Sequence, residues 1–144
     1  MRLILNCHDD VAFERVVNIP PRGIGERTVD AVREHARNIS ISMWSAAKAM
    51  IVDKNLNTRS ANALAAFLNL INEMTNTLEA LTLSELAEIS IEMSGLIEMH
   101  RREKGERGQS RVENLEELVG ACKNFSPEST DVPVLGQFLD QVSL

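Results

Sequence analysis

Asn18-Ile19-Pro20-Pro21-Arg22-Gly23-Ile24-Gly25-Glu26-Arg27-Thr28 joins two helical patterns through a turn with a glycine on either side of Ile24. The prolines end the first pattern, because proline has no amide hydrogen and pushes the residue before it out of the helical region. A second pattern opens at Glu26. Glycines at 23 and 25 can take positive φ and leave room for something to approach the backbone. A helix that starts there points its first free N–H groups outward, where partial positive charge collects, and a phosphate fits such a place. Arg22 and Arg27 flank the turn, Thr28 sits one turn in, and Ile24 is an apolar anchor able to tuck between the two helices.

The turn resembles the hairpin of helix-hairpin-helix DNA-binding elements, so the backbone of duplex DNA is the first candidate ligand. Backbone amides and arginines position DNA without reading bases, and such binding is independent of sequence. A glycine pair between helices also serves as a plain tight connection, and the turn taken alone leaves both readings open.

Outward from the turn the patterns are helical throughout. Asp9 or Asp10 caps a first helix through about Asn18, with Val11, Phe13, Val16 and Val17 as its apolar residues. Glu26 to about Asn38 follows, with Val29, Val32 and Ala36 at helical spacing. Ser40 or Ser42 caps a short helix through Ile51. Asn57 or Thr58 opens the longest, to about Asn76, on a face of Ala61, Leu64, Ala65, Leu68, Ile71 and Met74. Thr82-Leu83-Ser84-Glu85 is a capping-box pattern for a helix to about Met93. Ser94-Gly95 breaks it. Another helix from Leu96 ends at Lys104-Gly105, and a loop from Gly105 to Gly108 carries Arg107. Gln109 to Asn124 forms a helix with Val112, Leu115, Leu118, Val119 and Cys122 inward. Ser126 to Asp131 is a mobile polar loop, and Val134 to Val142 a last helix. No segment alternates. The expected fold is therefore all-α, one compact multi-helix domain over residues 1–144 with no sheet.

At 144 residues, 44% hydrophobic and 25% charged, the chain is of a size and composition to bury a core. No apolar run reaches membrane-spanning length, the start lacks a signal-peptide core, and two distant cysteines, Cys7 and Cys122, read as reduced thiols of a cytoplasmic protein. The net charge of −6 argues against a general nucleic-acid binder. Its distribution softens that objection. Arg101, Arg102, Lys104, Arg107 and Arg111 cluster, whereas from Val112 onward there are six acids and one base, Lys123. The basic strip is a candidate second phosphate contact, or a solvated face paired with Glu103 and Glu106.

Catalytic chemistry is not visible. There is no Gly-x-x-x-x-Gly-Lys phosphate loop, and His8, His35 and His100 make no metal-binding pattern. Asp9-Asp10 stand just before an apolar helical pattern, which favours capping over a metal or acid–base site. Glu113, Glu116 and Glu117 read as a solvated helix face, and Trp44 as core rather than a base-stacking platform.

Two blocks carry a family resemblance. Leu3-Ile4-x-Asn6-x-x-Asp9-Asp10-x-Ala12-Phe13-Glu14-Arg15-Val16-Val17-Asn18-x-Pro20-x-Arg22-Gly23-Ile24-Gly25-x-Arg27-Thr28 resembles the UvrD/PcrA/Rep group of superfamily 1 DNA helicases, nearest its UvrD branch. Glu103-Lys104-Gly105-Glu106-x-Gly108-Gln109-x-Arg111-x-Glu113-Asn114-Leu115-Glu116-Glu117-Leu118 agrees with it in order and spacing. The resemblance implies a 2B subdomain, a mostly helical insertion within the second motor domain of an enzyme that unwinds DNA 3′ to 5′ with ATP. ATP, Mg²⁺ and the motor motifs are then expected outside this stretch, with no cofactor or metal within it. The resemblance further implies that Gly23, Ile24, Gly25 and Thr28 contact the duplex ahead of the fork, and that the subdomain swivels between open and closed orientations. Residues 1 to about 8 would lie at the junction with the motor, near a hinge at Asp9 and Asp10. The chain would be a stretch excised from a bacterial cytoplasmic enzyme, non-catalytic alone, whose partners are duplex DNA, its own motor domains and repair proteins. The alternative expectation is a protein-interaction and autoinhibition module acting through the acidic helices after Val112, with little DNA affinity.

Overall fold

The structure, a computed structural model, describes residues 1–142. Those residues form helices joined by turns, and no strand occurs among them: α1 (Arg2–Leu5), α2 (Asp10–Val16), α3 (Glu26–Asn38), α4 (Met43–Val52), α5 (Thr58–Asn76), α6 (Leu83–Ser94), α7 (Leu96–Arg102), α8 (Glu106–Asn124) and α9 (Val134–Val142). The chain is all-α, as its periodicity predicts. Its packing divides it into two compact units, Arg2–Glu73 and the residues from Met74 onward, with Met1 grouped with the latter.

In the first unit the helix starts are written locally. The Asp9 carboxylate accepts the Ala12 N–H at 3.0 Å and caps α2, and Ser42 Oγ accepts the Ser45 N–H and caps α4. Ser40, the other candidate, instead takes φ of 53° at the end of α3, where the Ile41 N–H closes back on the Ala36 carbonyl. Asn57 accepts the Ser60 N–H at the start of α5. Phe13, Val17, Ile24, Val32, Trp44, Ala47, Leu64 and Phe67 pack as one buried cluster. Phe13 and Phe67 meet edge-to-face with centroids 5.6 Å apart, a geometry that favours the ring quadrupoles. Trp44 is core, as expected. Val11 corrects the expected apolar face of α2: it is 69% exposed, because the cap at Asp9 fixes a phase that turns Ala12 and Phe13 inward. Helix α1 carries no sequence signal strong enough to be foreseen; four residues are too few to show a period.

In the second unit α6, α7 and α8 pack on one another. Thr82 and Glu85 complete the capping box, each side chain bonding the other's backbone N–H. Gly95 closes α6 in the left-handed region at φ of 82°. Leu86, Ala87, Ile91 and Cys122 are buried, as is the Leu135, Phe138 and Leu139 face of α9, where Phe138 meets Phe125 edge-to-face. Gln137 ties the Ser126–Asp131 loop: its Oε1 accepts from Glu128 and Ser129 N–H, and its Nε2 donates to the Ser129 and Val132 carbonyls.

One expectation is overturned here. Gly105 to Gly108 is not a loop, for α8 begins at Glu106 and Arg107 lies in its first turn. Of Gly105 and Gly108, the first alone, at φ of 88°, takes a positive φ. Gly108 is a helical residue whose missing side chain lets α8 approach the end of α7: an added Cβ would meet the carbonyl oxygens of His100 and Glu103 at 2.6 and 2.7 Å.

Candidate nucleic-acid interface

The turn between α2 and α3 is anchored from below and open above. Ile24 is 1% exposed and packs in the cluster that holds Phe13 and Phe67. Gly23 has φ of 76°, a region that excludes most side chains. Gly25 is extended at φ of −74° and forms the N-cap of α3 with no side chain bonded across it. The Thr28 and Val29 N–H groups both donate to the Gly25 carbonyl, at 3.1 and 3.2 Å. The amides of Glu26 and Arg27 stand at the mouth, among the first-turn donors that a helix cannot satisfy itself. A Cβ built on Gly23 or Gly25 would meet no atom within 4 Å. Gly25 thus answers no internal demand, neither of φ nor of packing, and the space on its Cβ side is open.

The predicted side chains divide into two sets. Arg27 is exposed at the mouth. Thr28 is 8% exposed, and its hydroxyl donates to Ser60 Oγ of α5 at 3.3 Å, so its side chain is engaged within the fold. Arg22 turns inward. Its Nη1 donates to the carbonyls of Val16 at 2.8 Å and Pro20 at 3.1 Å, and its guanidinium lies 5.4 Å from the Phe67 ring centroid. Partial burial pushes its pKa down by desolvation, yet a guanidinium keeps its charge.

The basic strip lies in the second unit and is likewise divided. Arg111 donates to both carboxylate oxygens of Glu103, at 3.0 and 3.3 Å, and Glu103 also bonds His100 Nδ1 at 2.8 Å. Arg102 pairs with Glu98 at 3.1 Å. Arg101, Lys104 and Arg107 are exposed and have no carboxylate partner among the described residues. Arg101 lies in α7, Lys104 in the link after it and Arg107 in the first turn of α8, whose start at Gly105 has no side-chain cap and where an added Cβ would also meet nothing.

The sequence profile of the UvrD-like helicase C-terminal domain matches residues 1–144. The chain belongs to the UvrD-like helicase C-terminal domain family. DNA helicase II of Escherichia coli is 44% identical over 146 residues, taking in the whole chain and 20% of that protein. DNA helicase II of Haemophilus influenzae is 42% identical with the same coverage. The ATP-dependent DNA helicase PcrA of Bacillus subtilis is 32% identical over the whole chain and 19% of its own length. The chain spans about a fifth of the length of these relatives.

In this UvrD-like domain the paired acids act as caps. Asp9 caps its own helix, and Asp10 reaches across to accept the Met43 N–H at 2.8 Å, holding the start of α4. No group of three or more metal-ligating side chains occurs among the described residues, and no helix there is long and apolar enough to cross a membrane. One residue of the turn escaped the sequence reading. Asn18 Oδ1 accepts the N–H of Arg22 at 2.7 Å and of Ile24 at 3.4 Å. The available signal was an Asn ahead of a proline-rich turn, where an Asx side chain replaces a backbone acceptor.

Proposed function

We propose that this chain is the duplex-contacting, regulatory 2B subdomain of an ATP-dependent 3′ to 5′ DNA helicase of repair or replication, inserted within the second motor domain and non-catalytic by itself. The open amides at the Gly25–Arg27 start of α3 receive a phosphate of the duplex, with the Arg27 side chain adding charge; Gly23 and Ile24 shape the turn, Thr28 and Arg22 being engaged within the fold. The strip supplies a second contact through Arg101, Lys104 and Arg107, while Arg102 and Arg111 shape the corner that carries them. ATP and Mg²⁺ act in the motor portions outside this stretch. Asp9 and Asp10 stiffen the segment at the proposed junction with the motor, and swivelling about that junction regulates unwinding.

The observation that carries this reading is the free mouth at Gly25. A helix start with unsatisfied amides, an adjacent arginine and no atom within 4 Å of a Cβ built on either glycine is suited to an anion. With two or three phosphates neutralised, log affinity falls against log salt with a slope of about −2 to −3, and the dissociation constant is on the order of 10⁻⁴ M or weaker at physiological salt. Titration of the chain with a labelled duplex and a labelled single strand at two salt concentrations tests it. Salt-sensitive preference for the duplex is expected. No duplex binding at low salt, with salt-insensitive binding to a protein instead, would favour an autoinhibitory module acting through the exposed Glu113, Glu116 and Glu117 of α8.

A further inference from the structure

The underside of the turn holds an arrangement that a plain helix connection does not need. Two side chains, Asn18 and Arg22, between them engage backbone groups on both sides of it. The Asn18 carbonyl oxygen gathers two amides, those of Arg22 and Ile24, that would otherwise compete for an anion in the same turn. The Arg22 guanidinium gathers carbonyls from the opposite direction: Val16 and Pro20 at hydrogen-bond distance, with Val17 at 3.5 Å. These include the last carbonyls of α2, where negative partial charge collects, so the cation is placed where a helix end favours it. The ring of Phe67 supports the guanidinium, and that ring is fixed by Phe13 beneath it. Lysine could not reproduce this. A planar fork reaches several carbonyls while stacking on a ring, whereas an ammonium is a compact point charge.

We infer that Asn18 and Arg22 are positioning residues for the phosphate mouth: they fasten the turn from inside so that the Gly25–Arg27 amides are held open before DNA arrives, and neither touches the phosphate. The inference rests on the duplex contact proposed above. Its physical basis is preorganisation. A mouth that must order itself on binding has its affinity scaled down to the fraction of molecules already in the competent shape. Removing a fastener lowers that fraction but leaves the number of phosphates touched in the complex unchanged. Removing a phosphate-binding residue lowers the number itself, and with it the salt slope.

The experiment compares wild-type chain with Asn18→Ala, Arg22→Met and Arg22→Lys by fluorescence anisotropy on a labelled duplex over a range of salt. Helix content is followed by circular dichroism and the Gly25, Glu26 and Arg27 amide signals by NMR. Asn18→Ala changes no charge, and it keeps a usable comparison should an Arg22 variant unfold. All three variants are expected to weaken binding about tenfold, the result of a competent fraction near one tenth, with salt slopes parallel to wild type. In the free variants the three amide signals broaden or move while those of α4 hold. Asn18→Asp, which keeps an acceptor oxygen at the same reach, restores the amide signals in the free protein. Wild-type affinity in Asn18→Ala overturns the inference. So does an Arg22→Lys that binds like wild type beside an Arg22→Met whose slope is shallower by about 0.9, since that is a direct phosphate contact. A wild-type chain that binds no duplex overturns the proposed function as well, and so separates the two failures.

Discussion

Gly108 and His100 are in backbone contact: a methyl group added to the glycine would stand 2.6 Å from the histidine carbonyl oxygen. Backbone cannot give way as a side-chain tip can, so the absence of a side chain at Gly108 is what brings α8 against α7. Gly25 stands in contrast, with nothing within 4 Å of its added Cβ. Two glycines of one chain thus serve opposite ends, one turned toward its own fold and one toward solvent.

That contrast yields a paired prediction. Gly108→Ala destabilises the chain by about 1–3 kcal/mol through overpacking, read as a lowered urea midpoint. Gly25→Val leaves helix content nearly unchanged and lowers the midpoint by no more than the roughly 1 kcal/mol of a poorer N-cap, but weakens duplex binding about tenfold, the equivalent of one hydrogen bond worth about 1.4 kcal/mol. Unchanged duplex affinity in Gly25→Val would remove the turn as the site.

The strip offers a test by subtraction. Lys104→Gln with Arg107→Gln makes the salt slope of duplex binding shallower by about 0.9 for each phosphate no longer neutralised. Arg102→Gln leaves the slope alone, because that guanidinium is paired with Glu98. Equal effects from all three positions would contradict the division into free and engaged cations.

Asp9 and Asp10 support two different helices, α2 and α4. Replacing both with alanine lowers unfolding free energy by about 1–3 kcal/mol, the sum expected for removal of two caps. In a full-length helicase carrying this domain, the same change shifts the distribution of distances between fluorophores on the domain and on the motor. A distribution identical to wild type would refute a hinge role for the pair.

Acid should loosen the α7–α8 corner. The hydrogen bond to His100, and then the charge of Arg111, hold the Glu103 carboxyl below its usual range. A carboxylate depressed in the folded state contributes stability that is full above its unfolded value and is lost as pH falls through the folded value. The urea midpoint of wild type therefore falls more steeply than that of Glu103→Gln as pH drops below the ordinary carboxylate value of 4.5. Parallel pH profiles for the two proteins would show that the pair contributes nothing.

Much of the fold was legible because its signals are local. The capping box at Thr82, the cap at Asp9, the glycine stop at Gly95 and the bounds of α3 and α9 each depend on residues within one or two turns of one another. The Gly-Ile-Gly turn and the burial of Ile24 were legible for the same reason.

Local pattern is enough to specify that the chain is helical, where most helices start and stop, and which stretch forms the open turn. What individual side chains and glycines do depends on packing between distant parts of the chain. Gly108 reads as a loop signal until α7 is folded against it, and Arg22 reads as a donor to a phosphate until Phe67, far along the chain, packs against its guanidinium. Asn18, to which the sequence assigns no partner, gains its role when the turn closes around its side-chain oxygen. Local patterns record backbone preference within a few residues, whereas the engagement of a charge or the need for a bare Cα is set by atoms that only folding brings near.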